Sequence, residues 1–106
     1  MLHPAPVRAV DVAQVWQVPS QRQVLVCAQI AEDFTQIAMY RDIGWSPKKT
    51  YAQVHQFDPH ASRSFLTQAI NTVYFDRIAL QMTPNEIADT AQQQCLVRTP
   101  PWKPLK

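Results

Sequence analysis

A chain of 106 residues with one glycine, Gly44, and nine prolines has few of the parts that a sheet requires. Strand-rich folds use glycine for hairpin turns and bulges, and proline is kept out of central strands because it lacks the amide that a ladder needs. Helices accept the same composition if the prolines fall at helix starts, where the first amides are unbonded anyway. The expected fold is therefore all-α, with proline marking where helices begin. At this length there is room for one core. A hydrophobic share of 46% against 17% charged residues is that of a chain that folds. The net charge of +2 is too small and too scattered for a phosphate-binding surface, so nucleic acid is not an expected partner. No run approaches the roughly 18 to 20 apolar residues that cross a bilayer, and membrane insertion is not expected.

Taken in order, residues 1–19 crowd Val7, Val10, Val12, Val15, Trp16 and Val18 together without helical spacing. Their β-branched character favours extended backbone, and they are read as an arm that packs across the bundle through Trp16. Ser20 followed by Gln23 is a capping box. Behind it Val26, Cys27, Ile30, Ala31, Phe34, Ile37 and Ala38 form one apolar stripe, with Gln29, Glu32, Asp33 and Gln36 assigned to the polar face. Gly44 is the expected left-handed stop, with Trp45 placed for the apolar contact that accompanies such a cap. Ser46-Pro47 starts a short second helix whose inner face holds Tyr51, Val54 and Phe57. Asp58-Pro59 repeats the start signal for a third, with Phe65, Leu66, Ala69, Ile70, Val73 and Tyr74 as its stripe. The stretch Ile78–Met82 is open between extended backbone and a last helical turn. Thr83-Pro84-Asn85-Glu86 starts a fourth helix with a full capping box, facing Ile87, Ala88, Ala91 and Cys95 inward. The proline-rich tail, residues 97–106, should run as extended polyproline-type backbone. The expected architecture is a single domain: an arm (1–19), a four-helix core (20–96) and an extended tail.

Cys27 and Cys95, the two cysteines of the chain, lie on apolar faces of the first and last helices, 68 residues apart. That placement invites a disulfide, which would stabilise the fold by about 4 kcal/mol in the chain-entropy picture. Two unpaired buried thiols in a reducing compartment are the alternative. Cys27 on a long first helix, the Arg41-Asp42-Ile43-Gly44 corner, the Thr83-Pro84 start and Cys95 together resemble small exported bacterial helical proteins with two outer cysteines. The resemblance implies a periplasmic or secreted location and supplies no active site. The segment Met1-Leu2-His3-Pro4 lacks the basic and apolar regions of a signal peptide, as a mature exported domain or a cytoplasmic protein would.

Chemistry-bearing residues are few. His55 and His60 lack the i, i+4 spacing of a helical metal pair, no CxxC motif occurs, and no metal site or cofactor is expected. One glycine excludes a glycine-rich phosphate loop. The carboxylates have structural tasks available, and neither cysteine falls at a basic helix start that would activate it. Arg41 suits the negative end of the first helix and Asp42 the following turn. Trp16, Trp45 and Trp102 lie in connections and tails, where large rings either seal a core or meet a partner, and Pro101 to Pro104 has a PxxP form. The expected function is therefore non-enzymatic: an envelope protein that binds another protein as an accessory, inhibitor or immunity-like factor. Its contact residues would be drawn from Trp16, Arg41, Asp42, Trp45 and Trp102. A homodimer, a small hydrolase built from Asp42, His55 and His60, and a lipid or small-ligand carrier using the bundle interior are the alternatives.

Overall fold

The computed structural model describes residues 19–97. Four helices form an all-α bundle with no strand among the described residues: α1 (Gln21–Asp42), α2 (Pro47–Phe57), α3 (Arg63–Phe75) and α4 (Pro84–Val97). A 3-10 turn, Ala79–Gln81, joins α3 to α4 and resolves the stretch left open by the sequence. Residues 1–18 of the expected arm and 98–106 of the expected tail, with Trp16 and Trp102, lie outside the described residues, and Val97, expected in the extended tail, is the last residue of α4.

Each helix begins where its side chains can satisfy the free amides of the first turn. The Ser20 hydroxyl accepts from Gln23 N at 3.1 Å while Gln23 Oε1 accepts from Ser20 N at 2.9 Å. Thr83 and Glu86 repeat this box ahead of α4, and Ser46 caps α2 with Pro47 at the first helical position. Such caps each contribute about 1 kcal/mol. The start of α3 corrects the Asp58-Pro59 expectation. Asp58 closes α2 instead, donating its amide to Val54 O at 2.8 Å, and a short turn leads to Ser62, whose hydroxyl accepts from Phe65 N at 3.0 Å. Because α2 runs on to Phe57 and its last bond uses the Asp58 amide, the cap of α3 falls to Ser62.

The core is a continuous cluster of Phe34, Ile37 and Ala38 from α1, Val54 from α2, Leu66, Ala69, Ile70 and Val73 from α3, and Ile87 and Ala91 from α4. Phe34 and Phe65 meet edge to face at 6.0 Å, a favoured aromatic geometry. The longest packing seam runs between α1 and α4, which lie side by side in opposite directions. Near one end of that seam Cys27 and Cys95 form a disulfide, with a Cα separation of 5.6 Å. Val26 is a second correction: it is 42% exposed, because the packing that covers Asp33 and Ile37 does not extend two turns back along the same face. Phe57, expected on the inner face of α2, is likewise exposed.

Candidate functional site

The corner after α1 is fixed by its backbone. Gly44 adopts φ +91°, a left-handed conformation that glycine reaches without a side-chain clash. Gly44 N bonds to Arg41 O at 3.0 Å and Trp45 N to Tyr40 O at 2.9 Å, the paired bonds of a Schellman cap. The residues at the ends of that motif also touch: the Tyr40 and Trp45 rings stack at 4.2 Å with an interplanar angle of 4°. Lys49 places its ammonium 4.1 Å from the centre of the Trp45 ring, a cation–π contact. Tyr74 of α3 donates its hydroxyl proton to Trp45 O at 2.9 Å, so the 2.6 Å contact with the buried Thr50 hydroxyl has Thr50 as donor.

Arg41 reaches from this corner to the connection between α3 and α4. Its guanidinium donates to Val73 O at 3.1 Å, Ala79 O at 2.9 Å and Met82 O at 2.9 Å, and it pairs with Asp42 at 2.8 Å. These carbonyls belong to the last turn of α3, the 3-10 turn and the residue before the α4 cap, all places where helical bonding runs out. A planar fork of fixed donors can hold three such acceptors, whereas a lysine ammonium could not match the arrangement. Asp76 completes the connection from within, its carboxylate accepting from Ile78 N at 2.9 Å and Ala79 N at 3.1 Å.

What this clamp holds in place is one wall of an apolar groove of about 240 Å³. Phe34 of α1, Thr72 of α3, Ile78 and Met82 of the connection, and Ile87 and Ala91 of α4 line it, with Thr90 and Gln94 adding polar groups. Ile78 is 74% exposed and neighbouring Phe75 is 65% exposed, so apolar surface continues beyond the groove itself. The volume is below the roughly 300 to 1,000 Å³ of most small-molecule sites. It suits one or two inserted side chains. The groove lay hidden in the sequence, although the apolar run Ile78–Met82, with no helical stripe to absorb it, was its trace.

A further feature overturns the assignment of Asp33 to the polar face: it is only 1% exposed. Gln29 Nε2 donates to its Oδ1 at 3.2 Å. Burial pushes the Asp33 carboxyl up to about 8, with the hydrogen bond and charge of Asp58 and the charge of Glu32 acting in the same direction and Gln29 opposing them.

Of the residues expected to meet a partner, Trp45 is half-buried in the corner, Arg41 is 11% exposed within its clamp, and Asp42 is exposed beside it. The proposed hydrolase residues are divided among Asp42 at the end of α1, His55 on the exposed face of α2 beside the Tyr51 ring, and His60 on the exposed turn after it. None of them lines the groove, and no cluster of three or more His, Cys, Asp or Glu side chains forms among the described residues. No helix of the described residues is long and apolar enough to cross a membrane. In the bundle interior, Phe34 and Ile70 are buried and Phe65 and Tyr74 pack against them. The chain matches no family model, no curated protein and no solved structure.

Proposed function

We propose that this is a non-enzymatic bacterial envelope protein, periplasmic or secreted, that binds another protein as an accessory, inhibitor or immunity-like factor. The observation that carries the reading is the groove beside the 3-10 turn. It is apolar, sized for side chains rather than for a whole small molecule, and flanked by exposed Phe75 and Ile78. Contiguous apolar surface of this kind marks interaction sites on folded proteins. The disulfide supports the location, since such bonds persist in oxidising compartments. Arg41 and Asp42 then act by holding the groove wall, with Trp45 bracing the corner behind them.

The test compares wild type with Ile78→Glu and Ala91→Phe, which charge the rim and fill the groove, and with the exposed Gln53→Ala as a surface control. Each is immobilised and exposed to a periplasmic extract. The reading expects a protein retained by wild type and by the control and lost by both groove variants. Identical recovery by all four, or recovery by none together with a strictly monomeric hydrodynamic state, would overturn it.

A further inference from the structure

Two cavities meet where α3 gives way to the 3-10 turn. The apolar groove of about 240 Å³ shares Asp76 and Ile78 with a more open depression of about 670 Å³, whose other lining residues are Phe75, Arg77 and Gln81. Ile78 divides the two, and the exposed rings and chains of Phe75 and Leu80 extend the apolar surface around it. The charges near this surface are committed, with one exception. Asp76 Oδ1 accepts from Ile78 N and Ala79 N, and Glu86 Oε1 accepts from Thr83 N. Arg41 is held by three carbonyls and by Asp42. Arg77 is exposed and lines the depression, and it takes no part in the single ion pair among the described residues, Arg41 with Asp42.

We infer that this surface takes an acidic and apolar segment of the partner protein, one that seats an aliphatic or aromatic side chain beside Ile78 and presents a carboxylate to Arg77. The inference rests on the groove being the binding site proposed above. A partner that covers the groove also covers the neighbouring depression and strips water from the guanidinium. Without a carboxylate to replace that water, the desolvation is an uncompensated cost. With one, the planar fork makes charge-assisted, two-point hydrogen bonds, which is why arginine beside aromatic residues recurs at interfaces. Because Ile78 lines both cavities, the acid and the apolar anchor must lie close together in the partner. One helical turn, about 5 Å, or two extended residues, about 7 Å, meets that need. The chain's own residues 98–106 do not fit the description, since they carry Arg98, Lys103 and Lys106 and no acid. Gln81, Thr90 and Gln94 supply the polar rim.

The experiment selects a random-peptide phage library on the oxidised full chain. Fluorescein-labelled synthetic peptides from the enriched sequences are then titrated against wild type, Arg77→Glu, Ala91→Phe and the control Gln53→Ala. The enriched peptides should carry Asp or Glu within about four residues of Leu, Ile, Phe or Trp. Arg77→Glu should weaken them by about tenfold, and Ala91→Phe should abolish binding. Changing the peptide's acid to lysine should weaken binding to wild type by about the same factor and restore it on Arg77→Glu. The peptide-side change is read on wild type, so it decides the matter if a variant fails to fold. Peptides without an acid, indifferent to Arg77→Glu but lost on Ala91→Phe, would overturn the acidic partner and leave the groove reading standing. If no peptide responds to Ala91→Phe, both fall. A concentration-dependent dimer in sedimentation, or binding to phosphatidylglycerol vesicles, would also overturn the inference if Ile78→Glu abolished it, because a second copy or a lipid surface would then be the occupant.

Discussion

The two ends of the α1–α4 seam are closed by different means. At one end Cys27 and Cys95 are joined covalently, while Val24, Leu25 and Val26 on α1 and Val97 on α4 remain exposed. At the other, α1, α3, the 3-10 turn and the start of α4 converge on a guanidinium that holds three carbonyls and one carboxylate. The comparison teaches where a small bundle needs a covalent bond. Where several elements meet, buried apolar area and charge-assisted hydrogen bonds suffice, and where, among the described residues, two helices run with little over them, a bond that limits the unfolded chain compensates.

Breaking the disulfide should have the largest effect. Cys27→Ser with Cys95→Ser, or reduction of wild type, releases a loop of 68 residues and should lower stability by about 4 kcal/mol, measured by denaturant unfolding under oxidising and reducing conditions. If the ends are as different as described, amide exchange in the reduced protein should accelerate first in the opening turns of α1 and the last turns of α4, leaving the Arg41 end protected. Uniform loss along the seam would erase the distinction.

Arg41→Ala removes the opposite closure and leaves buried carbonyls without donors, a change that should cost about 3 kcal/mol. Arg41→Lys keeps the charge but not the fork, and should recover less than half of that loss. Full recovery by lysine would show that charge at the end of α1 matters rather than the three-carbonyl geometry. Gly44→Ala is the finest probe of the same end. Nothing lies within 4 Å of the position its methyl group would take, so only the left-handed backbone opposes it, at about 1 kcal/mol. A larger loss of melting stability would mean that the corner and the clamp unfold as one unit.

The helix framework was legible because its signals are local. Ser20, Ser46-Pro47, Thr83-Pro84 and Gly44 satisfy or terminate backbone groups within a few residues, and sequence spacing reads such contacts directly. The cysteine pairing followed from two stripes on the first and last helices. What escaped was tertiary. Polarity alone puts Asp33 on the water-facing side, although its place three residues after Ile30 and four before Ile37 puts it within the apolar face, where the Gln29 amide donates to it. Asp58-Pro59 reads as a helix start because that pattern is local, whereas the choice of Ser62 as cap depends on where α2 ends. The groove depends on Arg41 gathering carbonyls 32 to 41 residues away, and no spacing rule contains that reach.

The disulfide joins the first and last helices of the described residues, so it forms only when both ends of the bundle have met. Cys27 is synthesised early, but its partner sits in the last helix, so every intermediate that lacks α4 carries a lone thiol. Within these 106 residues the two cysteines allow a single intramolecular pairing. Under oxidising conditions, a closed ring and a free thiol separate bundles with α4 docked from bundles without it. Thiol-directed quality control could read that difference without recognising any other part of the fold.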